Sequence, residues 1–257
     1  MVRVMSERLS TCALFLGATL VATACAGSAG STDQARTVSA TAEVSTASPT
    51  PLVPVASEKA LQPAPVPSAA IKTPQPRVVV DQSWTPFAHV GGVVLRHPSR
   101  RVERVGFHES NHEGARDLEV VATAVAPKTL ESRERLTGSR TAADVVSDPN
   151  VEIRATVTGR VKRAGTYVLY CKHSDDYVVI EPDDRPGWEV KMLHIDGVAV
   201  RAGDRVVAGK TMVAPRPTKL PFESDVDETT AAPHWPHVHI EVVDPSIPNR
   251  PSPGSGC

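Results

Sequence analysis

A chain of 257 residues has room for one ordinary domain plus extensions. Its 28 Lys and Arg residues nearly balance 29 Asp and Glu, which leaves no electrostatic footprint for a nucleic-acid partner. Aromatic residues make up only 4% while prolines number 23, so part of the chain is not expected to join a packed core.

The first residues, MVRVMSERLSTCALFLGATLVATACAGSAG, read as an export signal over residues 1–24. Arg3 and Arg8 form a positive start, and the apolar run CALFLGATLVATA is too short to span a bilayer comfortably. The tetrad ATAC resembles a bacterial lipobox, which makes Cys25 the expected lipidation site and N-terminus of the mature protein. Diacylation there, palmitate included, supplies the two chains that stable anchoring to the cell membrane needs. The alternative is cleavage after Ala22-Thr23-Ala24 and plain secretion. No second hydrophobic segment follows, so the remainder is expected to be extracytoplasmic. With Cys12 in the signal and Cys25 carrying lipid, Cys171 and Cys257 are left to form one disulfide that fastens the C-terminal tail.

Residues 25–77 are rich in Pro, Ala and Ser and read as an extended tether without a core of its own. Residues 78–136 carry short strands, such as RVVVDQSWTPF and HVGGVVLRHP, and then the histidine-containing stretch VERVGFHESNHEGARDLEVV. From Thr141 onward strand follows strand: ADVVSD, VEIRATVTGRVKRAG, TYVLYCKH, DDYVVIEP, WEVKMLHI, RVVAGKTMVAP and HVHIEVVD. Turns rich in Gly, Pro and Asp separate them, which predicts an all-β sandwich or barrel with little helix.

Two stretches suggest chemistry. In HVHIEVV, His237 and His239 are two apart, so on a strand both imidazoles project from one face, as at the edge of a zinc site. His234 belongs to the preceding loop. In VKMLHIDGVAVRAGDRVVAGK, His194 closes a strand. The pattern V-x-x-G-D-x-V-x-x-G then places Val200, Gly203, Asp204, Val206 and Gly209 in a tight hairpin.

Together with ADVVSDPNVEIRATVTGRVKRAG, these motifs resemble the M23 (LytM or lysostaphin-like) zinc metallopeptidases, over about Thr137 to Val243. The resemblance implies that residues 137–257 form a LytM-like antiparallel β-sandwich, of duplicated-hybrid-motif type, that acts on the cell wall. It makes Asp144 and His239 zinc ligands, and it makes His194 and His237 the pair that handles protons and stabilises the tetrahedral intermediate. The departure is at the first ligand. Four residues before Asp144 the family has a histidine, and here Arg140 stands in TGSRTAAD. A catalytic zinc normally has three protein ligands and one open position, so two ligands leave the shell short.

GFHESNHEGARD could make up the deficit through His108 or His112, which have Glu109 and Glu113 beside them. HEGARD even imitates the H-x-x-x-D motif, with Asp117 one residue too far along. The preferred expectation for this stretch is nevertheless a polar loop, and for His89, His97 and His173 a surface position. Three functions follow. The first is an envelope lipoprotein with an M23-like domain that has lost hydrolysis and binds peptidoglycan or a cell-wall hydrolase, with zinc weak or absent. The second is an active zinc endopeptidase of peptidoglycan cross-links with an unusual third ligand. The third is a carrier-like or adaptor β-domain, for which EVKMLHI offers Lys191-Met192, though inside an expected strand and not at the hairpin tip where a carrier presents its lysine.

Overall fold

The computed structural model describes residues 76–249. The signal segment, Cys25, nearly all of the tether and Cys257 lie outside the described residues. Cys171 is disulfide-bonded, and the three other cysteines all lie outside that range. Among the described residues no helix is long and apolar enough to cross a membrane.

The fold is all-β. Its strands in chain order are β1 (Val80–Asp81), β2 (Pro86–Val90), β3 (Val93–Arg96), β4 (Arg101–His108), β5 (Glu119–Val120), β6 (Pro127–Thr129), β7 (Ala142–Ser147) and β8 (Ile153–Arg154). They continue as β9 (Gly159–Leu169), β10 (His173–Pro182), β11 (Glu189–Asp196), β12 (Arg205–Val206), β13 (Met212–Ala214), β14 (Arg216–Pro217) and β15 (His237–Val243). A short 3-10 helix covers Asp225–Thr229.

The main sheet has the order β1-β4-β7-β15-β11-β10-β9-β12, with β14 on β11 and β6 on β4. Every pairing is antiparallel except β4 with β6. A three-stranded sheet, β3-β2-β5, and the pair β13-β8 complete the structure. β4 and β7 pair directly, so strands from before and after residue 137 share one sheet. The β2–β3 hairpin turns on Gly91 and Gly92, both at positive φ (54° and 91°), a conformation that glycine adopts without a Cβ clash.

Alternation along the central strands sorts the side chains. Phe107, Ala143, Val145, Val238, Ile240, Val242, Val190 and Met192 point to one face. There they meet Phe87 and Ala88 of β2 and Leu95 of β3 in a single buried cluster. Such packing supplies the main driving force, at about 25 cal/mol per Å² of apolar surface removed from water. The residues between them, His108, Asp144, His237, His239 and Glu241, therefore project from the opposite face. That face is covered in part by a smaller cluster of Leu130, Val146 and Val226, with Trp235 against it.

Candidate metal centre

The site is a row of polar side chains crossing adjacent strands of the main sheet. Asp144 on β7 lies opposite Gly106 on β4 and opposite His239 on β15. His108 lies two residues along β4 from Gly106, on the same face and diagonal to Asp144. Its Nε2 is 3.1 Å from Asp144 Oδ1, and His239 Nδ1 is 2.9 Å from the same oxygen. His237 Nε2 is 3.9 Å from Asp144 Oδ2. One ligand atom from each of His108, Asp144 and His239 lies within 4.8 Å of the others. The strand register thus brings His108 beside the two candidate ligands Asp144 and His239.

The donor chemistry fits a divalent metal. His108 Nδ1 is 2.9 Å from the Glu109 carbonyl, an acceptor, so Nδ1 bears a proton, and a neutral ring would present its lone pair at Nε2. Nε2 is buried, makes no hydrogen bond of good geometry and faces the Asp144 carboxylate. Two acceptors at this distance are stabilised by a cation between them, and two imidazoles with one carboxylate are a zinc-type donor set. The remaining ring nitrogen of His239 is 3.8 Å from Glu241 Oε2. Glu241 is itself held by Ser110 Oγ and by Lys191 Nζ at 2.9 Å. Such a carboxylate behind a ligating histidine fixes its orientation.

Burial shapes the charges. It would raise the Asp144 carboxyl, but the surrounding histidines outweigh it and hold the group well below the usual carboxylate range. Burial pushes His237 down to about 4, so its ring is neutral at neutral pH. For His239 burial also lowers the pKa, yet the contacts with Asp144 and Glu241 win and raise it to about 9.

His194 stands beside this centre, its ring centroid 5.1 Å from that of His237 and 6.0 Å from that of His239. It is the extra residue of a β-bulge: Asp176 pairs with Ile195 and Tyr177 with Leu193, which leaves His194 unpaired. Its φ is +62°, an uncommon conformation for a residue with a Cβ. Bulges of this kind re-aim a side chain. His194 Nδ1 is 2.7 Å from Asp175 Oδ2, and its backbone N–H donates to the same oxygen. Tyr167 OH donates to that carboxylate at 2.6 Å. With Nδ1–H held by Asp175, the lone pair of His194 is on Nε2. Asp175 and Tyr167 extend the row onto β10 and β9.

These groups line a cavity of about 280 Å³ that includes His108, Asp144, His194, His237 and His239. It shares Leu220, Phe222, Glu223, Ser224 and His237 with a neighbouring cavity of about 380 Å³.

The structure therefore brings together Asp144, His194, His237, His239 and His108. It corrects the expectation of a merely polar loop for the stretch containing His108, because that residue ends β4 and is buried. His112 stays outside the ligand group, and its Nδ1 accepts the Gly114 N–H. Arg140 does not line the cavity; its Nη2 is 3.8 Å from Asp117 Oδ2, on exposed side chains. His97 is not a surface residue but fully buried, packed on Phe87. His89 is half-buried with its side chain near Glu119, His173 packs against Phe222, and His234 is in a loop bonded to Thr230. Lys191 lies within β11 and engages Glu241, so it does not offer the free hairpin-tip amine of a carrier domain. Asp175, Tyr167 and Glu241 are site residues that sequence reasoning missed. Comparison of the chain with protein-family models, with curated proteins and with solved structures finds no match.

Proposed function

We propose that the protein is a zinc-dependent peptidase of the M23 kind that cleaves peptide cross-links in peptidoglycan. It would act on the extracytoplasmic side of the envelope, held there by lipid on Cys25. The observation that carries this reading is the third ligand: His108 stands with Asp144 and His239 where the family pattern alone leaves a two-ligand shell. Zinc on these three groups would supply a Lewis acid that polarises a carbonyl and acidifies water.

The chain's own residues supply the rest. Asp175 holds the His194 ring by Nδ1–H and leaves Nε2 directed to proton traffic. His237, neutral through burial, offers a second basic nitrogen close to Asp144. Glu241 holds His239 from behind. The expectation of lost hydrolysis rested on the missing histidine four residues before Asp144, and His108 is a candidate for that third ligand.

The test uses the full chain. Zinc per chain is measured by mass spectrometry after dialysis, and peptides released from purified peptidoglycan are identified by mass. One zinc per chain and new peptide termini are expected. His194→Ala and His237→Ala should keep the zinc and lose the release. Stoichiometric zinc with no bond cleaved would refute the peptidase reading and leave a metal-holding binder of cell wall.

A further inference from the structure

The cavity holding the metal ligands also contains a cation that the chemistry above does not use. Arg135 lines it from the segment following β6, half-buried, in one lining with the histidines. One donor is taken: Nη1 bonds the Glu109 carbonyl at 2.9 Å, the same oxygen that holds His108 Nδ1. Among the described residues no carboxylate lies within 4.0 Å of its guanidinium, whereas the neighbouring Arg133 is paired with Asp225. The segment is fixed, not loose. The Glu109 carboxylate accepts from Ser132 Oγ and from the backbone N–H groups of Arg133 and Arg135, at 2.7, 3.0 and 2.8 Å. A buried acid thus builds a small cradle whose product is one oriented, unpaired arginine beside the metal ligands.

The shape of the cleft adds a second observation. Asp225, gripped by Arg133, is the one residue shared by this cavity and a further cavity of about 510 Å³. The Arg133–Asp225 ion pair therefore belongs to the lining where the two spaces meet. Toward Leu220, Phe222 and His237 the cavity also continues into its neighbour. Charge agrees. Two cations, Arg133 and Arg135, and three anions, Asp144, Glu223 and Asp225, line the site. When the histidines hold a divalent ion as neutral ligands, its charge outweighs that one-unit anionic surplus and leaves room for one more negative group.

We propose that Arg135 binds a carboxylate of the substrate, and that the site takes peptides with a free carboxylate next to the scissile amide, as at a C-terminus, in preference to uncharged cross-links. This rests on the peptidase reading and narrows its substrate. Arginine suits the role because its planar fork matches a carboxylate with two parallel hydrogen bonds.

The experiment measures binding, not turnover, on the zinc-loaded full chain. Acetyl-D-Ala-D-Ala with a free carboxylate is titrated by calorimetry against the same dipeptide as its C-terminal amide. The acid should bind at least about tenfold more tightly, the worth of one charge-assisted hydrogen bond. Arg135→Gln should bring the two affinities to within about threefold, and Arg135→Lys, which keeps the charge without the fork, should retain part of the preference. Equal binding of acid and amide by the unaltered chain overturns the proposal, whether or not the variants fold. So does a preference that survives Arg135→Gln, or no binding of either peptide. Zinc content and cleavage recorded on the same samples separate the two ideas. Zinc held and acid and amide cut at equal rates removes the role of Arg135 and leaves the peptidase. A missing zinc with an intact acid preference removes the peptidase and leaves the carboxylate site.

Discussion

Replacing His108 tests the centre at its least expected point. The side chain is 2% exposed and contributes one of the three ligand atoms at Asp144 and His239. Structural zinc in small domains is held by about 10–16 kcal/mol from four ligands, so one ligand is worth about 3–4 kcal/mol. That corresponds to about 100- to 1,000-fold in affinity. His108→Ala should therefore weaken zinc by that factor, read by competition of the full chain against a chelator of known affinity. His112→Ala and Arg140→Ala should stay within about threefold of the unaltered chain, because neither residue reaches the ligand group. Circular dichroism of the metal-free variants checks that the sheet persists. Near-unaltered affinity in His108→Ala, or an equal loss in Arg140→Ala, would refute the three-ligand centre and return the missing ligand to the segment before Asp144.

Asp175→Asn keeps the shape behind His194 but removes the charge that holds its Nδ1–H; a fall of about 10- to 100-fold in kcat with KM little changed is expected in steady-state assays. A fall in KM-dependent binding alone would assign Asp175 a merely structural role. His97 is buried with Nδ1 2.7 Å from the Thr85 carbonyl, and burial lowers its pKa from 6.5 to about 4. The unfolded chain therefore takes up the proton first, so this stability is complete above about pH 6.5 and lost as pH falls toward 4. Urea midpoints at pH 7.5 and 4.5 should show a loss larger by about 2–3 kcal/mol in the unaltered chain than in His97→Gln; equal losses would contradict it. Cys171 is disulfide-bonded, and the partner expected from sequence is Cys257. Peptide mapping without reduction should recover those two cysteines in one fragment, and a different partner would correct that pairing.

The sequence revealed the half of the centre that is local along the chain. His237 and His239 are two apart on one strand, and period-two alternation alone puts them on one face. Asp144 and His194 followed from motif resemblance. What sequence reading could not reach is set by register between strands distant in the chain. His108 meets Asp144 only because β4 and β7 pair with Gly106 opposite Asp144. The motif pattern puts its first ligand four residues before the aspartate, and that spacing drew attention to Arg140 instead. The same holds for Asp175, which reaches His194 through the β10–β11 pairing and a bulge that no local pattern announces. His97 was misplaced because a histidine between strands reads as polar, whereas its Nδ1–H is satisfied by Thr85 and its ring packs on Phe87. Strand content was legible throughout, because alternation and turn residues are local signals.

Placement across strands also divides the site into a rigid and an adaptable part. His108, Asp144, His237, His239, His194, Asp175 and Tyr167 all sit on strands of one sheet, where the pairing of neighbouring strands holds positions closely. The groups that would meet a substrate away from the reacting centre do not. Arg133 and Arg135 come from a connection after β6, and Leu220 to Asp225 from the connection after β14 and the start of the 3-10 helix. Gly106 ties the two parts together. A Cβ there would sit 2.9 Å from Val226 Cγ2 and 3.2 Å from Leu130 Cδ1, both part of the covering cluster. Any larger residue at 106 would push that cover off the sheet face directly opposite Asp144. Gly106→Val is thus expected to loosen the cleft walls while leaving the ligand strands paired, and zinc affinity should change less than the acid-over-amide preference assigned to Arg135. The reverse order of effects would mean that the metal centre, not the cover, depends on this close approach.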